Sequence, residues 1–252
     1  MRAVLPYRDF YYPLNVFMHI ITLEEGAVAY LHYGFFERAD ESLAAAQERS
    51  TAMLLARLPA PPARILDVGL GLATTLARLT SLGYDAVGIT PDDKQVALAR
   101  SNYGDALHIE HVRFEDFPDG AFDTVVFQES AQYIAPDALF ARCAALTSHV
   151  VVLDEFALEP LDTPGALHSL SSFLSAATAA GFALVEEVDV SAKATPSTAY
   201  FMDKFTRHRQ RLIEDLGITS QQVDDLIAGG VKYLDLYARG VYGYRVLQFR
   251  RG

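Results

Sequence analysis

Asp67-Val68-Gly69-Leu70-Gly71-Leu72-Ala73 sets a carboxylate inside an apolar run, Ile65-Leu66-Asp67-Val68, and follows it at once with two glycines. Glycine lets a backbone turn sharply and approach a ligand closely, and the carboxyl ends of adjacent strands in a parallel sheet form the usual binding crevice. The acid decides which ligand suits the crevice, because a carboxylate beside the turn repels a pyrophosphate and attracts an ammonium or sulfonium cation. Two phosphate-binding patterns fail on the same residues. The third glycine of Gly-x-Gly-x-x-Gly would fall at Thr74, and no glycine turn runs into Gly-Lys-Ser or Gly-Lys-Thr. Taken alone, the segment is also compatible with a plain strand-to-helix turn.

Further segments carry side chains able to meet a ligand. Gly88-Ile89-Thr90, with Asp92 and Gln95 beyond it, ends the next apolar run at the point where folds of this kind hold ribose hydroxyls; a helix cap is the other use of Thr90. Phe114-Glu115-Asp116 is an acidic turn after a third run, next to Arg113. Gln128-Glu129-Ser130-Ala131-Gln132-Tyr133 follows a fourth and also reads as a helix start. Upstream, His32-Tyr33-Gly34-Phe35-Phe36 precedes Gln47-Glu48-Arg49, and packing is the alternative for its aromatic residues. Groups able to accept a proton outside the glycine turn include His168, with Tyr133, Glu129 and Glu155 as other candidates. His168, just past the fifth run, reads equally as a surface loop histidine.

The elements that must position these residues follow from hydrophobic spacing. Short apolar runs alternate with helical segments from Arg64 onward, the pattern of a parallel sheet covered on both faces. Strands are expected at Ile65–Val68, Asp85–Ile89, Val112–Phe114, Thr124–Phe127, Val150–Leu153 and Ala183–Val190. Leu72, Leu76 and Leu79 mark a helix that stops before Gly83, and Thr90-Pro91-Asp92-Asp93 opens the next. Ahead of the core lies a helix from Glu41 to Leu58, capped by Asp40 and ended by Pro59, Pro61 and Pro62. The tail predicts helices over Ala199–Leu216 and Ser220–Tyr237, then Tyr244–Phe249 as an antiparallel strand closing the sheet edge. The resulting expectation is an α/β, doubly wound, mostly parallel seven-stranded sheet. A helical N-terminal lid over 1–60 precedes a core over 61–252, which carries a helical insertion at about 195–240.

Bulk properties narrow the function classes. The 252 residues hold 21 Lys and Arg against 32 Asp and Glu, a formal charge of -11, with no basic block to track a phosphate backbone. Nucleic acid is therefore not the expected substrate. A single cysteine, Cys143, excludes an internal disulfide and a multi-thiolate zinc site. No apolar stretch approaches bilayer length and the opening residues lack a secretory pattern, so a cytoplasmic location is expected.

The glycine run resembles the first motif of the class I S-adenosylmethionine-dependent methyltransferases, acid-x-Gly-x-Gly-x-Gly, with Ala73 in place of the third glycine. Gly88-Ile89-Thr90 resembles the branch that includes cyclopropane fatty-acid synthases and tocopherol methyltransferases, with Asp92 replacing a serine. Gln128-Glu129-Ser130 to Tyr133 is similar to the Glu-Ser-x-x-His segment of small-molecule members, Tyr133 standing in the histidine position. The resemblance implies S-adenosylmethionine as cofactor, with S-adenosylhomocysteine as product and no metal. It implies Asp67, Gly69, Gly71, Tyr33 and Gly34 at the methionine end and Gln128 near the sulfonium. Thr90, Asp92 and Gln95 would hold the ribose, and Phe114 and Glu115 the adenine. Arg113 falls where the family commonly has an adenine-binding acid.

The expected activity is methyl transfer to O, N or C of a small, specialised-metabolite acceptor. A cyclopropane-synthase-like enzyme and a catalytically silent cofactor-binding regulator or scaffold are the alternatives. The aromatic N-terminal stretch, the insert from Asp154 to Gly165 and the tail helices would recognise the acceptor, with a homodimer through paired lids as a further expectation.

Overall fold

Residues 64–157 supply five strands whose alternate side chains enter two different cores. The computed structural model describes residues 5–38, 40–159 and 167–252. β1 (Arg64–Val68), β2 (Asp85–Thr90), β3 (His108–His111), β4 (Thr124–Gln128), β5 (His149–Ala157) and β6 (Phe182–Asp189) share one direction, and β7 (Tyr242–Arg251) is antiparallel to both its neighbours. The order is β3-β2-β1-β4-β5-β7-β6. On one face Leu66, Val68, Val87, Val125 and Phe127 pack under α5 (Pro136–Leu146) and α6 (Leu170–Ala179). On the other, Ile65, Ala86, Val126 and Val151 meet α3 (Thr74–Ser81) and α4 (Asp93–Tyr103). This is the two-faced burial that continuous apolar strands require.

The remaining helices join the beginning of the chain to its end. Val16 and Ile20 of α1 (Leu14–Glu25) and Leu43 and Ala46 of α2 (Leu43–Leu55) share a third core with Phe201 and Phe205 of α8 (Pro196–Arg207). Leu212 of α9 (Arg209–Leu216) and Val223 of α10 (Ser220–Ala238) complete it, and a short α7 (Ser191–Ala194) leads in from β6. Polar contacts reinforce the seam: Lys204 lies 3.1 Å from Glu24 as an ion pair, and His19 Nε2 is hydrogen-bonded to Asp215 at 3.1 Å.

Several boundaries differ from the sequence expectation for identifiable reasons. α2 starts behind Ser42, whose hydroxyl accepts the Ala45 N–H, and not behind Asp40; Glu41 is drawn to Arg49 at 2.8 Å. Pro91 stays outside α4, because Asp92 is the cap and accepts the Lys94 and Gln95 N–H groups at 2.9 and 3.1 Å. The third strand is His108–His111, not Val112–Phe114: an edge strand exposing His108 and His111 and burying only Ile109 has no apolar run to announce it. The tail helix expected over Ala199–Leu216 is broken at His208, whose ring reaches Glu24 of α1.

β7 does not close the sheet edge but fills the place between β5 and β6. Its alternate polar residue Arg245, which suggests a wet face, is buried and satisfied by Asp189 at 2.8 Å and Glu187 at 3.2 Å. β5 continues past Leu153, so Asp154 and Glu155 belong to a buried strand. Of the insert expected from Asp154 to Gly165, residues 160–165 lie outside the described residues.

Candidate active site

β1 stops at Val68 because three successive positive-φ residues at alternate positions turn the chain: Gly69 (φ 76°), Gly71 (φ 54°) and Ala73 (φ 64°). A β-carbon on Gly69 would collide with the side chain of Ser130, which itself donates to the Val68 carbonyl at 2.5 Å. The Gly69 and Leu70 N–H groups are tied to the Ile89 carbonyl of β2 at 2.9 and 3.1 Å. The tips of β1, β2 and β4 are thereby locked together under a cavity of about 470 Å³.

That cavity is lined by most of the residues singled out in the sequence. Gly69 and Gly71 form one side, Thr90, Asp92 and Gln95 another, and Phe114 and Glu115 the far end beside Arg113. Thr90 is buried and its hydroxyl donates to Gln95 Oε1 at 3.0 Å, so it is no helix cap. Gln128 and Glu129 come from the tip of β4, and Tyr133, 75% exposed, stands at the mouth. Gln128 is held from both sides: Thr75 of α3 donates to its Oε1 at 3.1 Å, and its amide donates to Ser50 of α2 at 3.3 Å.

Asp67 lines a smaller void of about 40 Å³ that shares Gly69, Gly71, Leu31, His32 and Gln128 with the larger one. Its carboxyl is 3% exposed, its Oδ2 has no hydrogen-bond partner, and burial pushes its pKa up to about 7. A buried acceptor without a donor is costly unless a ligand supplies one. An ammonium or sulfonium group beside the glycine turn is the complement this carboxylate lacks, and it would restore the ionised form.

Glu129 carries another signal of function. It adopts φ 57°, a conformation uncommon outside glycine and most frequent where the surroundings impose it. One carboxylate oxygen accepts the Tyr33 N–H at 2.6 Å and the Tyr244 hydroxyl at 2.9 Å. Burial, reinforced by the nearby Glu155 charge, raises its pKa well above the ordinary carboxylate range. Behind it, burial moves Asp154 to about 7 and Glu155 to about 8; the Tyr237 hydroxyl donates to Glu155.

A family model described as a methyltransferase domain matches residues 66–149, the stretch that builds this cavity. This stretch is a methyltransferase domain of the class I, S-adenosylmethionine-dependent type. An O-methyltransferase of Penicillium expansum, cnsE, is 29% identical over 202 residues, covering 69% of this chain and 73% of the relative. Among solved structures, a cyclopropane synthase from Mycobacterium tuberculosis superposes with TM-score 0.77 at 16% identity, covering 87% of this methyltransferase and 89% of that chain. The geranyl diphosphate C-methyltransferase of Streptomyces coelicolor, solved with S-adenosyl-L-homocysteine, gives 0.71 at 15% identity, covering 98% and 95%. At such identities these two share the methyltransferase fold.

Besides Asp67 and Glu155, three sequence candidates lie away from the large cavity. Tyr33 turns its ring to the tail helices, where the Thr198 hydroxyl donates to it at 3.3 Å. Gly34 is a glycine because α2 passes over it, Ala46 Cβ lying 2.5 Å from where a β-carbon would sit, and its N–H goes to Ser197 at 3.0 Å. The ring Nε2 of His168 pairs with the Ile134 carbonyl at 2.9 Å, which makes it a brace for the cavity wall.

Conversely, Tyr11, Leu14 and Leu31 line the methyltransferase cavity although no motif marks their use there, and His32 of the His32-Tyr33-Gly34 segment joins them. His32 is neutral, its pKa lowered to about 4 by burial; its Nδ1–H donates to the Tyr33 carbonyl at 2.9 Å and its Nε2 accepts from Thr51 at 3.1 Å. The sequence signal for His32 was its adjacency to Tyr33, and the structure gives it the role of fixing that backbone.

Proposed function

We propose that this methyltransferase moves its methyl group onto an oxygen of a small, uncharged acceptor, and that Glu129 takes the proton which that oxygen loses. The carrying observation is the half-buried Glu129 carboxyl, fixed on one oxygen by Tyr33 and Tyr244 and lining the cavity above the glycine turn. A carboxyl whose pKa is raised above the ordinary carboxylate range holds an accepted proton more firmly than a free one does, which suits it to proton transfer. The likeness to an O-methyltransferase, cnsE, supports oxygen as the acceptor atom.

S-Adenosylmethionine supplies an activated methyl carbon on a sulfonium; the chain has to align the acceptor with it, exclude water and hold the proton. We assign Asp67, Gly69, Gly71 and Gln128 to the methionine end, Thr90, Asp92 and Gln95 to the ribose, and Phe114, Glu115 and Arg113 to the adenine. Tyr133 guards the mouth. Tyr33 belongs to the acceptor wall, and Gly34 and His168 support the frame. Residues 1–60 and the helices over about 195–240 act as the lid on a core over 61–252, as their common apolar seam suggests.

No helix of the described residues is long and apolar enough to cross a membrane. The buried, unpaired Cys143 favours a reducing, cytoplasmic setting. Exposed Leu184 and Val185 on edge strand β6 are the apolar surface a homodimer would cover, and light scattering tests for one.

The deciding experiment incubates the protein and cofactor with uncharged metabolites and searches by mass spectrometry for products heavier by one CH₂. Glu129→Gln should then lower kcat by about 10²–10⁴-fold while leaving S-adenosylhomocysteine affinity within about threefold. The wild-type rate should rise with pH through the raised Glu129 pKa, since only the carboxylate accepts a proton. A Glu129→Gln enzyme as fast as wild type rules the base out.

A further inference from the structure

α10 carries adjacent glycines, Gly229 and Gly230, in the interior of a 19-residue helix, where glycine is disfavoured relative to alanine. Gly230 has a packing reason, because a β-carbon there would lie 2.5 Å from Met202 Cγ. Gly229 has none: a β-carbon there would meet nothing within 4 Å. What Gly229 borders is a second cavity of about 290 Å³ between α1, α8 and α10.

Phe17, Phe201, Phe205, Met202 and Leu226 make this cavity apolar, and its wall includes Tyr33 and Tyr233. Tyr33 connects it to the reaction centre. Its N–H donates to Glu129, and its ring stacks at 6.2 Å on Tyr244, whose hydroxyl donates to the same carboxylate. The described residues of the wall include no Lys, Arg or His and one carboxylate, Asp225. An anionic guest would give up its hydration there and find no cation in return.

We infer that this second cavity houses the apolar body of the methyl acceptor, an uncharged aromatic alcohol or phenol, and that Gly229 is kept side-chain-free to give that body room. The inference rests on the reading of Glu129 as the group facing the acceptor oxygen. A volume of about 290 Å³ sits at the small end of ligand pockets, which run from roughly 300 to 1,000 Å³, and suits a body of two fused rings. The body lies against the aromatic wall while its hydroxyl points past Tyr33 to Glu129.

The test uses 2-naphthol and its anionic counterpart 2-naphthoate as probes of the protein saturated with S-adenosylhomocysteine. Wild type should take up 2-naphthol, with the Met202 ε-methyl resonance moving on binding, and should bind 2-naphthoate about tenfold or more weakly. Gly229→Leu, which fills the space and favours the helix, should weaken 2-naphthol about tenfold or more at unchanged S-adenosylhomocysteine affinity and undiminished melting temperature, whereas Gly229→Ala stays within about threefold. Absence of 2-naphthol binding by wild type, an unmoved Met202 signal, equal affinity for the two probes, or wild-type affinity in Gly229→Leu would each overturn the inference. Should Gly229→Leu not fold, the Met202 signal of the wild-type protein decides alone. If the chamber passes while Glu129→Gln methylates 2-naphthol at the wild-type rate, the base is wrong and the chamber stands.

Discussion

The two halves of the site are built in different ways. At the tips of β1, β2 and β4, a short stretch of chain makes the wall from its own backbone: positive-φ turns at Gly69 and Gly71, N–H groups tied to Ile89, and one unpartnered carboxylate at Asp67. Around Glu129 the wall comes from side chains distant in sequence, with Tyr33 before the core, Glu155 on β5, Tyr237 on α10 and Tyr244 on β7. A cofactor shared by a whole family can be served by a local motif. An acceptor particular to one enzyme is met by a tertiary assembly, in which each side chain can change without disturbing the turn.

Substitutions on the two sides should therefore fail differently. Gly69→Val gives the largest effect, because the new side chain needs both a disfavoured φ and the space of Ser130; cofactor binding by calorimetry should fall below detection, with several degrees lost from Tm. A Gly69→Val protein that binds normally would show that the turn does not shape the cofactor wall. Asp67→Asn is milder: it removes the attraction to a cation while sparing the cost of burying a charge. S-Adenosylhomocysteine affinity should drop about 10–100-fold as the charge-assisted hydrogen bond is lost, and Tm without cofactor should hold or rise.

The smallest effect lies on the acceptor side. Glu155 and Asp154 have folded-state pKa values raised by burial to about 8 and about 7, so the folded protein binds more protons than the unfolded chain between roughly pH 4 and pH 8. Stability contributed by their protonated forms is complete below the ordinary carboxylate pKa and is lost as pH rises through the folded values. Glu155→Gln should flatten that decline and raise Tm at pH 8.5 by a few degrees, with cofactor affinity unchanged. A wild-type Tm that increases from pH 6 to pH 8.5 would contradict it.

The same contrast explains what could be read in the sequence. The glycine turn is legible because its chemistry, its strand and its helix lie within a few residues of one another, and Thr90, Asp92, Gln95 and Gln128 are marked by resemblance to methyltransferase motifs at the strand ends. β3 was misplaced because an edge strand such as His108–His111 needs no apolar run, and β7 because a buried Arg245 paired to Asp189 alternates like a surface residue. Glu129 was a named candidate, but its two donors come from Tyr33 and Tyr244, a proximity that only the folded chain creates. His168 was favoured on chemistry alone, and nothing local to it revealed that the Ile134 carbonyl would occupy its ring nitrogen.

The position of β7 between β5 and β6 has a consequence for assembly. While the polypeptide is being synthesised, both of those strands leave the ribosome before the segment that will separate them, so neither has its final neighbour on that side. Until β7 arrives, the nascent sheet keeps an open slot flanked by the apolar residues of β5, a natural target for chaperones and for pairing with other chains. The Tyr244 hydroxyl reaches Glu129 only when that slot is filled, so the proposed acceptor side is armed last, after the glycine turn can already have formed.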